Sequence, residues 1–160
     1  MRRAIVVAVA LVAVSGSSAL GAGSLPKLAT GWFPRYAVRP HTIYYTGDST
    51  GTVGVLPRGA RAIGKTPGFV RWKTWTRARA YAVGTVWIKS CLPDCAGSPF
   101  YRYGVTVTAT SPRKGRFSTM TLRYRYHGKL VVDVRCDSGH GYYDLPPDWP
   151  RSNNCLAPRP

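Results

Sequence analysis

The sequence contains no glutamate. Its acids are six aspartates, Asp48, Asp94, Asp133, Asp137, Asp144 and Asp148, against 23 lysines and arginines in 160 residues. Any paired-carboxylate chemistry must draw on those six. Asp94, Asp133 and Asp137 already read as turn former, cross-strand partner and loop residue. Histidine is as scarce, with only His41, His127 and His140. No G-x-S-x-G elbow, phosphate-binding glycine loop or H-E-x-x-H pair occurs, so the hydrolases and nucleotide-binding enzymes that those motifs mark find no support. Internal repeats and a second domain are also missing. The single long apolar run, AIVVAVALVAV from Ala4 to Val14, is too short to cross a bilayer comfortably.

That run reads as the core of a secretory signal peptide. Arg2 and Arg3 precede it, and the small residues of SGSSALGAGS follow, with cleavage expected after Ala19 or Ala22. The expected organisation is a signal peptide over 1–22, a linker over 23–34, a β domain over 35–136 and a proline-rich tail over 137–160. Once the signal is removed, 21 basic side chains face six acidic ones, a net charge of +15. Arginine outnumbers lysine by 17 to 6, which suits forked contacts to phosphate or carboxylate. Such a field attracts anionic cell-wall polymers, lipid headgroups, nucleic acids or acidic glycans. The bland counterpart is that the charge merely keeps an exported protein in solution.

Strand signals dominate after residue 35. HTIYY (41–45) and TVGVL (52–56) are short β-branched runs bounded by turn residues. In FVRWKTWTRARAYAVGTVWIK (69–89), period 2 places Arg71, Lys73, Trp75, Arg77, Arg79 and Tyr81 on one face. Val70, Trp72, Ala80, Ala82 and Gly84 fall on the other, with a bend near Thr76. A helix over 74–83 is the alternative, since alanine and arginine favour helices. YRYGVTVTAT (101–110) alternates again, and SPRKG (111–115) turns the chain. Met120, Leu122, Tyr124 and Tyr126 then share a face, as do Leu130, Val132, Val134 and Cys136. A three-residue loop at His127–Gly128–Lys129 would pair Tyr126 with Leu130, Leu122 with Val134 and Arg123 with Asp133, matching apolar to apolar and charge to charge. The fold class is all-β: one small disulfide-stapled sandwich or partly open barrel of about six or seven strands.

The four cysteines, Cys91, Cys95, Cys136 and Cys155, default to disulfides in an exported chain. Cys91–Cys95 and Cys136–Cys155 is the favoured pairing of three. The larger ring is worth on the order of 3 kcal/mol in the chain-entropy view. Spacings of 3, 40 and 18 intervening residues fit neither a zinc site nor a C-x-x-C redox centre. No metal or cofactor is expected.

The strongest positive signal is basic and aromatic side chains interleaved on strands. Arg71, Lys73, Trp75, Arg77, Arg79 and Tyr81, extended by Arg102, Arg123, Arg125 and Arg135, form a candidate surface for anionic polymer. The ordinary alternative is a solvated sheet face. A ribonuclease-like hydrolase using His41 or His140, and an inhibitor-like module presenting the 91–95 loop, are the competing functions. WKTWTRARAYAVGT followed by CLPDCAGSPFYRYGVTVTAT resembles a group of small secreted actinobacterial proteins. Their pattern is a W-x-x-W segment, an A-x-G-like strand, then C-x-P-x-C-A-x-G before a valine-rich strand. Trp72, Trp75, Cys91, Pro93, Cys95, Ala96 and Gly97 carry the likeness, across roughly residues 40–126. The chain departs from that pattern in placing Ser98 after Gly97 and in its tail with Cys155. The resemblance implies export and brings no activity with it.

Overall fold

The computed structural model describes residues 24–31, 35–46, 50–56, 58–64, 67–91, 94–95, 97–137 and 142–144, the last three through their backbone alone. The expected signal peptide, Asp48, Pro93, Ala96, His140, Asp148 and Cys155 lie outside the described residues. Ten strands follow in order: β1 (Leu28–Ala29), β2 (Tyr36–Ala37), β3 (Thr42–Tyr44), β4 (Gly51–Gly54), β5 (Val70–Trp75), β6 (Ala80–Lys89), β7 (Phe100–Arg113), β8 (Arg116–Tyr126), β9 (Lys129–Asp137) and β10 (Tyr142–Asp144). Only β4 to β9 reach four residues. No helix occurs among the described residues, so the alanine- and arginine-rich run is strand, turn and strand. Sheet structure also runs past both bounds of the expected 35–136 domain, through β1 and β10.

The fold is all-β, in two sheets. β1 and β2 make a small ribbon; the other eight strands make one sheet, seven of them in the order β10-β9-β8-β7-β6-β4-β3 and β5 pairing with β6 off that path. Every pairing between these strands is antiparallel. β5 and β4 follow one another along the same edge of β6, β5 against Ala80–Gly84 and β4 against Val86–Ile88. Glycine is required where they meet. A Cβ on Gly84 would stand 2.4 Å from the Phe69 carbonyl oxygen, and one on Gly68 2.3 Å from that of Gly54.

Alternating side chains explain the core. Ala80, Ala82 and Val86 of β6, Val105, Val107 and Ala109 of β7, and Met120 and Leu122 of β8 point to one side and are buried together with Ile43, Val53, Trp75 and Phe117. The sheet curls around this core but does not close. The β1–β2 ribbon lies in the gap: Lys27 pairs with Arg116 at the start of β8, and the Tyr44 amide donates to the Thr30 carbonyl at 3.1 Å. This is a partly open barrel.

Local details correct the alternation read from sequence at three places. In β5 the register shifts between Trp72 and Thr74, leaving Lys73 as a bulge. The extra residue resets the period, so Trp72 and Trp75 both turn inward and their rings meet edge to face at 4.5 Å. Trp75 is buried, donates its Nε1–H to the Pro26 carbonyl at 3.0 Å, and does not join an arginine face. Residues Arg77 and Arg79 are exposed in the turn between β5 and β6, where the Thr76 amide donates to the Arg79 carbonyl. They lie off the strand face.

The third correction is the β8–β9 hairpin. Tyr126 pairs with Lys129, so the turn holds two residues, not three. His127 and Gly128 both have positive φ, 47° and 79°, as the tight turns that match strand twist require. Leu122 therefore opposes Asp133, Arg123 opposes Val132 and Arg125 opposes Leu130. Asp133 is not the cross-strand partner of Arg123; it bonds Arg135 on its own strand. Lys114–Gly115 makes a second two-residue turn, also with positive φ, and Ser111–Arg113 belong to β7. Replacing Gly84 with alanine should lower the thermal midpoint by on the order of 5 °C or more, because the clash is with backbone; calorimetry on G84A checks it.

Candidate anion-binding face

The short β8–β9 turn decides which side chains look outward. On the outer face β8 presents Arg123 and Arg125, and β9 presents Leu130 and Val132 directly across from them. All four are exposed, Leu130 at 62% and Val132 at 46%. β7 adds Arg102 on the same side, since Arg102 opposes Trp87 and Thr106 opposes Val83 and Arg123. Arg71 completes that row from β5, opposite Val83, with its guanidinium 5.9 Å from the Phe69 ring. Tyr81 also faces outward and is exposed. Between these groups runs a shallow trough of about 790 Å³. Its floor includes Val83, Gly104 and Thr106, and Arg102, Arg123 and Arg125 rim it, with Phe69 and Leu130 as apolar margins.

No aspartate occupies an outward position on β3 to β9. Asp133 and Asp137 lie on the inner face, and Asp94 sits in the loop after β6, accepting the Gly97 amide at 2.6 Å. Among the described residues, the strands that carry Arg71, Arg123 and Arg125 thus place no carboxylate on the outer face beside them. Arg125 instead donates to the Gly128 carbonyl at 2.9 Å, which steadies the turn and leaves its charge in place. Lys73 is exposed on the β5 bulge.

Arg135 belongs to a different structure. It is buried on the inner face, donates from Nη2 to Asp133 Oδ2 at 2.8 Å and brings its Nε within 2.8 Å of Oδ1, a close ion pair between the two buried charges. The Tyr45 ring stacks over this guanidinium at 5.2 Å, and the Tyr45 hydroxyl bonds to Tyr124. Nearby, the Tyr36 hydroxyl donates to Asp137 at 3.1 Å while Arg116 covers the Tyr36 ring at 4.6 Å. Together these contacts clasp the gap in the barrel, joining β2 and the end of β3 to β8 and β9. Burial raises the Tyr45 hydroxyl far above the usual phenol range, and raises Tyr36 and Tyr124 as well.

The 91–95 loop is a closed staple. Cys91 and Cys95 are bonded at 2.00 Å, and Lys89 Nζ donates to the Cys95 carbonyl at 2.9 Å. Cys136 is disulfide-bonded too, and Cys155, the partner expected for it, lies outside the described residues. His41 is exposed at the start of β3 and His127 is exposed in the β8–β9 turn. Among the described residues no hydrogen bond or ion pair joins a histidine to an aspartate, and no group of three or more His, Cys or Asp gathers as a metal site.

The clasp has a pH signature. A phenol whose folded pKa lies above its unfolded value keeps its proton on folding, so its contribution is complete below about pH 10 and is lost as pH rises beyond that. Stability should therefore fall between about pH 10 and 12, and fall less steeply in Y45F; urea unfolding across that range measures both.

No protein-family model matches the chain, and neither a curated protein nor a solved structure matches it.

Proposed function

We propose that the protein is an exported β domain that binds anionic cell-envelope or extracellular polymers through the outer face of β5 to β9, as a binding module and not as a catalyst. The observation that carries this reading is the segregation of charge. Arg71, Arg102, Arg123 and Arg125 share a face on which no strand from β3 to β9 places an aspartate, while Asp133 and Asp137 are turned inward. Neighbouring strands stand about 4.8 Å apart and same-face residues about 7 Å apart along a strand. The guanidinium groups are thus spread at intervals that follow a repeating anion. Every arginine presents its donors in a planar fork that matches phosphate and carboxylate.

Export is inferred from the leader-like start, the resemblance to secreted actinobacterial proteins and the disulfide of the 91–95 loop. The nuclease alternative has no gathered acid–base pair among the described residues to support it. Inorganic polyphosphate is a suitable probe for the binding reading. Affinity should fall linearly in log–log form with salt, and R123Q/R125Q should flatten that slope by roughly 0.7 for each arginine removed. Fluorescence anisotropy over a salt series reads both. Affinity indifferent to salt, or to the double substitution, would remove the basis for the proposal.

A further inference from the structure

On their β9 side, Arg123 and Arg125 of the outer face meet aliphatic and not polar neighbours. Leu130 lies directly across from Arg125, and Val132 directly across from Arg123, so each guanidinium has an exposed aliphatic side chain beside it. Phe69, 44% exposed, forms the opposite margin of the trough that Arg102 shares with them. A soluble polyanion has a use for the charges and none for the aliphatic groups. A solvated sheet face would carry polar residues at those positions, as alternation normally supplies. The pattern holds on two consecutive cross-strand pairs, and the two-residue turn enforces it.

We infer that the anionic partner of this face is a lipid bilayer surface rich in phosphate headgroups, with Arg102, Arg123 and Arg125 on the phosphates and Leu130, Val132 and Phe69 entering the boundary between headgroups and acyl chains. This rests on the proposed anion-binding face and goes beyond the proposed function in naming a lipid surface, not a polymer, as what that face meets. Charge complementarity selects the headgroup layer, and the apolar side chains select a membrane over a dissolved polymer. The docked depth is shallow. Side chains standing off one sheet face reach only the interfacial zone, which is the depth at which surface-bound elements bury their apolar residues. Attraction to anionic lipid adds with each arginine near the surface and is screened by salt. Burial of the aliphatic side chains is not screened, so binding should keep a residue of affinity at high salt.

The test uses the protein purified after export, sedimented with vesicles of phosphatidylglycerol mixed into phosphatidylcholine, with pure phosphatidylcholine vesicles and soluble polyphosphate in parallel. Anionic vesicles should be bound and neutral ones not. Threonine at both apolar positions, L130T/V132T, keeps strand propensity and should weaken vesicle binding roughly tenfold while leaving polyphosphate affinity unchanged. L130W should tighten vesicle binding, a gain that misfolding cannot produce. Binding to polyphosphate but not to anionic vesicles would overturn this inference and leave the proposed function standing. Binding to neither would remove both. Vesicle binding indifferent to L130T/V132T and to L130W would show that the aliphatic residues take no part and would also sink it.

Discussion

The pairing of Tyr126 with Lys129 is the constraint on which most of the molecule depends. A strand has only two faces, and a slip of one residue exchanges them completely. With a two-residue turn, β9 sends Asp133, Arg135 and Asp137 inward and Leu130 and Val132 outward. The inward charges find partners there: Asp133 and Arg135 form their ion pair under the Tyr45 ring, and Asp137 receives the Tyr36 hydroxyl. Buried charge of this kind is tolerable only when every group is matched, and removing one member strands the other. One turn therefore sets both the polar clasp inside the barrel and the mixed arginine–aliphatic surface outside it.

Much of the fold was legible because β6, β7 and β8 obey simple alternation. Val105, Val107 and Ala109, and Met120 and Leu122, are inside as their spacing implies. β5 misleads because Trp72 and Trp75 are three residues apart and both belong in the core. A bulge at Lys73 reconciles them, and alternation cannot anticipate a bulge. β9 misleads for a different reason. Its apolar residues form a tidy stripe, and the natural inference is that an apolar stripe faces inward. The available clue was local: histidine tolerates positive φ better than most residues, and His-Gly is chemically suited to a two-residue turn.

The candidate face was legible in the same uneven way. Arg71, Tyr81, Arg123 and Arg125 share the outer side, whereas Trp75 and Arg135 are buried and Arg77 and Arg79 belong to a turn. What the sequence pattern could not convey was the company these arginines keep. Leu130 and Val132 look like core residues in a list of alternating positions. Only the register makes them surface residues, set beside Arg125 and Arg123. The exposed apolar pair and the removal of Asp133 from this face arise from one register, so they are properties of a single surface.

The clasp across the gap has a kinetic meaning as well. The turns at Lys114–Gly115 and His127–Gly128 join strands that are neighbours in sequence, so the β7–β8–β9 meander closes only short loops as it forms. Tyr36 and Asp137 are 101 residues apart. Bringing them together closes the longest loop among the described contacts and gains little until the sheet between them is already in place. Loop-closure entropy thus favours forming the C-terminal hairpins before the N-terminal ribbon is drawn in. For a chain that emerges from its N-terminus first, the segment that leads the way must wait longest for its place.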